Sequence, residues 1–146
     1  MPDVDMTTEV VNGVIAAIKT AFPSVDVFDD PVDQGIVEPA FTVRCIRPAQ
    51  EQFLGRRYRK THLIEIVYFP PAGERFTNCN AVAEELFDAL EVIQAGNDPV
   101  RGWNMEAHYS EDSRALILTV NYNYFVIREN NADLMDTLHI EWERVI

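Results

Sequence analysis

Four acidic side chains lie close together in one segment of the sequence and could bind a divalent cation. Asp29, Asp30, Asp33 and Glu38 lie within DDPVDQGIVEP, and carboxylate oxygens are the ligands that calcium and magnesium prefer. The segment lacks the alternating D-x-D-x-D-G register of a cation-binding loop. Since acidic, proline- and glycine-containing stretches are typical of solvated loops, the sequence favours a loop without a metal.

Histidine and cysteine residues are present, but their spacing matches no catalytic or metal-binding motif. His62, His108 and His139 are not paired at i+3 or i+4, as zinc ligands on a helix would be. Cys45 and Cys79 have no C-x-x-C spacing, and we interpret them as reduced thiols of a protein made in the cytoplasm. Nucleophile-elbow, P-loop, dinucleotide-binding and zincin motifs are absent from the sequence. We therefore predict no catalytic residues, no metal and no cofactor.

Positive charge is concentrated in one short stretch of an otherwise acidic chain. The formal net charge is −12, yet four of the twelve Lys and Arg residues are Arg56, Arg57, Arg59 and Lys60. Two interpretations are open. Charges at a hairpin tip discourage edge-to-edge aggregation, or the stretch is an arm that docks on an acidic protein surface. Arginine suits docking because its planar guanidinium pairs with a carboxylate through two hydrogen bonds.

We expect this stretch to be an assembly interface. Its predicted members are four cations in a turn and two apolar residues that precede them, namely Arg56, Arg57, Arg59, Lys60, Phe53 and Leu54.

Composition is that of an ordinary globular chain. With 146 residues, 47% hydrophobic and 25% charged, the chain suits a single domain spanning residues 1–146. The first ten residues lack the basic and apolar regions of a signal peptide, and no apolar run approaches the roughly 20 residues of a membrane span. The acidic balance argues against general nucleic-acid binding, which needs basic surface to neutralise phosphate.

Hydrophobic periodicity predicts the elements in the first half of the chain. Thr7 or Thr8 is a candidate cap for a helix that ends near Phe22, before Pro23. A short strand is predicted within Ser24–Asp29 and longer strands at Ala40–Arg47, closed by Pro48, and His62–Phe69. The segment Ala49–Gly55 between them is expected to be a hairpin arm or a loop.

The second half is predicted to contain one helix and two further strands. Asn78 or Asn80 is a candidate cap for the helix, whose apolar stripe continues to Ile93 before Gly96 and Asn97 end it. Strands follow at Trp103–Tyr109 and Ala115–Ile127, and the second of these alternates strictly between apolar and polar residues. Leu138, Ile140 and Trp142 alternate again, which is typical of an edge strand or a contact with a neighbour.

The predicted order is α-β-β-β-α-β-β with a possible final strand. Two helices packed on a mostly antiparallel sheet define a two-layer α+β fold.

Several segments in this order resemble the small tail terminator proteins of long-tailed bacteriophages and prophages. The matching segments are Ala21-Phe22-Pro23, Gln34–Phe41 (QGIVEPAF), Arg57–Thr61 (RYRKT) with Ile64–Pro70 (IEIVYFP), Asn80–Glu91 (NAVAEELFDALE) and Val120–Val126 (VNYNYFV). The resemblance extends from about Val10 to Trp142, and the order of the segments carries it rather than any single motif.

This resemblance implies a structural protein that caps the tail tube when the tube reaches its final length. Such proteins form a ring, typically a hexamer, that stops polymerisation of the tail tube protein and offers a surface to the head-tail connector protein. The implied location is the neck of the virion tail, after assembly in the host cytoplasm, with no membrane partner. DNA would pass through the acidic ring without specific binding. The arginine-rich arm would reach either the neighbouring subunit or the tube.

Two other classes remain open. A head-completion or connector protein of the phage neck shares small α+β architecture, and its loss would leave tail length unchanged. A small divalent-cation-dependent enzyme would use the acidic Asp29–Glu38 loop, and a divalent cation would raise its thermal stability.

Overall fold

The computed structural model describes residues 6–29, 38–71 and 76–127 of the chain. Within these ranges lie two helices and six strands, in the order α1 (Met6–Ala21), β1 (Asp26–Phe28), β2 (Ala40–Leu54), β3 (Arg57–Phe69), α2 (Phe76–Ala89), β4 (Val92–Ala95), β5 (Asp98–Ser110) and β6 (Ala115–Ile127). The strands form one sheet in the order β1-β2-β3-β6-β5-β4. The β1–β2 pair is parallel and the other pairs are antiparallel. The predicted α+β class is confirmed.

Both helices cover the same face of the sheet. Val10, Val14 and Ile18 of α1 recur at helical spacing and are fully buried, as expected for the apolar stripe of a surface helix. They join one core cluster with Leu86 of α2 and Ile64 of β3. We call the sheet face that carries Ile64 the inner face and the opposite one the outer face.

The strand β6 has the predicted bounds and the predicted alternation. Leu116, Leu118, Val120 and Tyr122 are buried on its inner face, since successive side chains of a strand point to opposite faces. The Tyr122 hydroxyl donates a hydrogen bond of 2.7 Å to the Leu90 carbonyl, directly after α2. This bond joins the C-terminal end of α2 to the centre of the sheet.

The strand β2 is longer than predicted. It continues through Pro48 to Leu54, whereas the sequence placed its end at Arg47. Proline is tolerated because β1 pairs with β2 at residues 40–42. Within the described strands, Pro48 therefore lies on a sheet edge, where a missing N–H need not interrupt a ladder. The partner strand β3 likewise begins at Arg57 instead of His62.

The start of α2 differs from the prediction. The helix begins at Phe76, so Asn78 and Asn80 lie inside it and are not caps. The Asn78 side-chain oxygen instead accepts a hydrogen bond of 2.8 Å from the Tyr68 hydroxyl. Thr7 and Thr8 likewise lie within α1 rather than before it.

The end of α2 also differs, because a short strand follows it. The helix ends at Ala89, and Ile93 belongs to β4, where Ile93 and Ala95 are buried in alternation. Gly96 and Asn97 form the turn to β5, in which Gly96 has φ +67°. The predicted strand at Trp103–Tyr109 is the second half of the longer β5. The predicted final strand at Leu138, Ile140 and Trp142 lies outside the described residues.

Candidate assembly interface

The β2–β3 hairpin and the end of β6 form a three-stranded extension, which we call the arm. It comprises residues 47–54 of β2, 57–61 of β3 and 123–127 of β6. The pairing of β5 with β6 stops at Gly102 and Tyr122, so β5 does not accompany the arm. Every residue of β2 from Ile46 to Leu54 is exposed. The β2 side of the arm is thus not covered by the helices.

A glycine places the tip of the arm. Leu54 and Arg57 are paired, which leaves Gly55 and Arg56 as a two-residue hairpin loop. Gly55 has φ +58°, the left-handed value that the first position of a type II′ turn requires. The Gln52 side-chain amide donates a hydrogen bond of 2.7 Å to the Gly55 carbonyl. Local sequence therefore fixes where the hairpin reverses.

The four predicted cations do not form one patch. The expected turn was Arg56–Lys60, but only Arg56 lies in the turn and the other three lie in β3. Because strand residues alternate between faces, Arg57 and Arg59 lie on the outer face, and Lys60 lies on the inner face with the buried His62. The strand geometry divides the charge between two surfaces.

The charge of Arg59 is partly balanced within the arm. Its Nη2 atom lies 2.9 Å from Oε2 of Glu51, its cross-strand neighbour on β2. Both side chains are exposed, and an exposed pair of this kind contributes about 0–1 kcal/mol to stability. The Arg59 guanidinium can therefore exchange Glu51 for another carboxylate at small cost.

Exposed phenylalanines accompany the arginines on the outer face. The rings of Phe53 and Phe125 are 52% and 51% exposed and their centroids are 5.1 Å apart. These rings belong to β2 and β6, so they meet above the intervening β3, where Arg59 is paired with Phe125. Leu54 at the tip is 70% exposed. We call Phe53, Leu54, Arg57, Arg59 and Phe125 the arm patch.

Phe125 was missed by sequence reasoning although a signal for it exists. The alternation of β6 assigns Thr119, Asn121 and Asn123 to the outer face. Phe125 follows Asn123 by two positions and therefore lies on the same face. The ring of Phe125 joins that of Phe53 in one exposed apolar patch, and such patches mark interaction sites.

Trp103 extends the same outer face beyond the arm patch. It is 46% exposed, and its indole N–H donates a hydrogen bond of 2.8 Å to the Asn123 side-chain oxygen. Trp103 lies on β5, next to β6, so aromatic side chains occupy three strands of this face. Aromatic residues and arginine are the types most enriched in the energetically important parts of protein–protein interfaces.

The histidines and acidic residues considered in the sequence analysis lie outside the arm patch. His62 is buried, lies 3.0 Å from the Thr7 hydroxyl of α1 through Nε2, and stacks on Tyr124 at 5.6 Å. His108 is exposed on β5, and Asp29 and Glu38 are exposed. Asp30, Asp33 and His139 lie outside the described residues. Within residues 6–29, 38–71 and 76–127, no three His, Cys, Asp or Glu side chains lie close enough to share a metal ion.

Both cysteines are free thiols with raised pKa values. Cys79 is buried and Cys45 is half-buried. Burial raises the pKa of both thiols, and a backbone hydrogen bond at Arg47 partly offsets this rise in the pKa of Cys45. Because the thiolate is the reactive form, both side chains are weak nucleophiles near neutral pH.

The fold is a two-layer α+β domain from which an arm with exposed aromatic and arginine side chains extends. The chain belongs to the phage tail terminator protein family, whose sequence model matches residues 9–133. It is accordingly a structural protein of a phage tail, and membership in this family implies contacts with other tail and head proteins. The resemblance noted in the sequence is confirmed at the level of the family.

Other comparisons add little to this assignment. No curated protein matches the chain. One solved structure without a descriptive name shares 16% sequence identity at a TM-score of 0.40, over 82% of this chain and 96% of its own. A likeness this distant carries no argument about function. Neither helix of the described part has the length and hydropathy needed to cross a membrane.

Proposed function

We propose that the protein caps the phage tail tube as an oligomeric ring, a hexamer by resemblance to the family. The ring ends polymerisation of the tail tube protein and provides the joining surface for the head-tail connector protein. The family match over residues 9–133 is the observation that carries this proposal. Each subunit is one domain spanning residues 1–146, assembled in the host cytoplasm and located at the neck end of the virion tail.

The arm patch of one subunit docks on the acidic face of α2 in the next subunit. The outward face of α2 carries exposed carboxylates at Glu84, Glu85 and Asp88, followed by the exposed Glu91. Copies that each carry a net charge of −12 repel one another. A contact between the arm patch and α2 instead places opposite charges together, which favours association and fixes its register.

This contact is head-to-tail because it joins two different surfaces. Repetition of such a contact closes into a ring when the rotation between subunits allows it. The acidic balance of the remaining surface suits a lumen through which DNA passes without binding.

Electron microscopy and tail length test the capping function together. Purified protein mixed with tail tubes is expected to form rings at tube ends, and phage that lacks the protein is expected to have abnormally long tails. Normal tail length in its absence, with heads that fail to join, would instead identify a head-completion or connector protein.

A charge-reversal pair tests whether the arm contacts the neighbouring subunit. Arg57→Glu with Arg59→Glu is expected to leave the fold intact and abolish ring assembly, because surface substitutions change stability little. Adding Glu84→Arg and Glu85→Arg to the same chain restores opposite charges and is expected to restore rings. Lys19→Glu with Arg114→Glu changes net charge equally at exposed sites outside the arm and serves as the matched control.

The charge-reversal experiment separates the contact from the function. If the four-site variant stays monomeric while the control assembles, the arm does not dock on α2 of the next subunit. If the double variant and the four-site variant both lose capping while the control still caps tube ends, the tube is the partner of the arm and the capping function stands.

A further inference from the structure

Two charges of the proposed contact are already paired within the subunit. On the arm, Nη2 of Arg59 lies 2.9 Å from Oε2 of Glu51. On the opposite surface, Nη1 of Arg101 lies 2.7 Å from Oε2 of Glu91, which follows α2. The four side chains are between 41% and 67% exposed. Charged groups of a neighbouring subunit can therefore reach both pairs.

The register of β2 and β3 keeps Glu51 beside Arg59. The two residues are directly opposite in the β2–β3 ladder, and such residues of an antiparallel pair have β-carbons about 4.5–5.5 Å apart. Arg57 lies on the same face and makes no ion pair with any residue of 6–29, 38–71 or 76–127. Of these two arginines of the arm patch, Arg59 alone thus has an intramolecular competitor for an incoming carboxylate.

The fold holds Glu91 beside Arg101 in a similar way. The Gly102 backbone N–H donates a hydrogen bond of 2.8 Å to the Glu91 carbonyl. This bond ties the end of α2 to β5 directly after Arg101. A cation that approaches this end of α2 therefore has to displace Arg101 or share the Glu91 carboxylate with it.

We propose that the Glu51–Arg59 and Glu91–Arg101 ion pairs restrain the self-assembly of free subunits. Each pair occupies a charge that the contact between the arm patch and α2 uses, so each weakens that contact. This inference rests on the proposed contact and adds its regulation. A tube end that holds several subunits raises their effective concentration, and assembly is therefore favoured there over assembly in solution.

The exposure of the two pairs determines how strong the restraint is. Exposed ion pairs are weak because water and salt screen both charges. Removing one competitor is therefore expected to lower the protein concentration at half-maximal assembly by about twofold to fivefold. This shift is expected to shrink as the salt concentration rises.

Glu51→Gln and Arg101→Gln test the restraint with opposite changes in net charge. The first changes the formal net charge of −12 by +1 and the second changes it by −1. Both variants are expected to assemble at a lower concentration than the wild type, whereas general repulsion between acidic copies predicts shifts of opposite sign. Sedimentation velocity over a concentration series measures the midpoint. For chains that stay monomeric in solution, the fraction of capped tail tubes in electron micrographs measures it.

Two kinds of control isolate the competitors. Glu111→Gln and Lys19→Gln make the same charge changes at exposed sites that carry no ion pair within the described part of the chain. Their midpoints are expected to stay close to that of the wild type. In a chain that already carries Arg59→Gln, adding Glu51→Gln is expected to have no effect, because the competitor acts only through Arg59.

The outcomes separate this inference from the contact on which it rests. Midpoint shifts of opposite sign for Glu51→Gln and Arg101→Gln would overturn the restraint, and so would a Glu51→Gln effect that persists beside Arg59→Gln. Unchanged midpoints in both variants would overturn it and leave the contact standing if Arg57→Glu with Arg59→Glu abolishes assembly. Normal assembly of that charge-reversed chain would reject the contact and the restraint together, while tail length still decides the capping function.

Discussion

Gly13 shows how a single residue positions α1 on the sheet. A methyl group at Gly13 would overlap the carbonyl oxygen of Gln94 in β4 and approach the Ile93 side chain. Glycine in a helix interior costs about 1 kcal/mol relative to alanine, so its presence here reflects the close approach of two backbones. The contact lets α1 bury Val10 and Val14 beneath β4.

We therefore expect Gly13→Ala to destabilise the protein despite the better helix propensity of alanine. Backbone atoms of β4 cannot move aside as a flexible side chain would, and overpacking of this kind costs roughly 1–3 kcal/mol. Urea denaturation followed by circular dichroism measures the change in the free energy of unfolding.

Asn12→Ala provides the control on the same helix. Asn12 is exposed, so alanine there changes only helix propensity and is expected to be neutral or slightly stabilising. Equal stability of the Gly13 and Asn12 variants would show that α1 does not approach β4 this closely.

At the scale of elements, the sequence predicts the bounds of a helix or strand where the local residue pattern is compatible with one structure alone. The bounds of β6 could be predicted because each inner residue is apolar and turn residues follow Ser110. The predictions at Pro48 and Gly96 were wrong. Pro48 was expected to end a strand and lies inside β2, and Gly96 was expected to end a helix and lies in the turn between β4 and β5. Proline ends a central strand but is tolerated on an edge, and glycine ends a helix or opens a hairpin. The strands that pair with the segment decide which of the two structures forms, and a single sequence does not show which strands pair.

The candidate site was predictable in composition but not in arrangement. The sequence indicated the arm and four of the five residues of the arm patch, namely Phe53, Leu54, Arg57 and Arg59. The sequence did not show that Arg57 and Arg59 lie on one face of the sheet and Lys60 on the other. That division exists because β3 begins at Arg57, so these residues belong to a strand and not to a turn. Phe125 is 66 positions from Arg59 and reaches it only through the register of β3 with β6.

The aromatic pair of the arm is expected to serve assembly more than folding. Phe53→Ser and Phe125→Ser each remove a ring that is about half exposed, and an aromatic pair contributes roughly 0.5–1.5 kcal/mol to stability. Interface anchors of this type contribute about 2 kcal/mol or more to binding. Either variant should therefore remain folded and lose ring formation or tube capping, as seen by light scattering and electron microscopy.

A substitution outside the arm separates this effect from a general loss of apolar surface. Val92→Ser changes a residue of β4 that is 45% exposed and is expected to leave assembly intact. Normal assembly of the Phe53 and Phe125 variants would remove the arm patch from the interface.

At the scale of the whole molecule, charge distribution determines which partners the protein can accept. The 24 acidic residues outnumber the twelve basic ones, and the exposed carboxylates of α2 add to a surface of one sign. Nucleic acid binds proteins mainly through cations that neutralise phosphates and release counterions. The outer face of the described arm carries only three arginines, Arg47, Arg57 and Arg59, and Arg59 is paired with Glu51.

The protein is therefore expected not to bind duplex DNA even at low salt, where such binding is strongest. Fluorescence anisotropy of a labelled duplex, with the protein alone and in ring form, measures this directly. A variant with Glu84→Lys, Glu85→Lys and Asp88→Lys carries a basic stripe on α2 and is the positive control, with an affinity that should fall as salt rises. Salt-dependent binding by the wild type that disappears in Arg57→Glu with Arg59→Glu would contradict the expectation. The arm would then be a phosphate contact, and a lumen that merely repels passing DNA would no longer describe this protein.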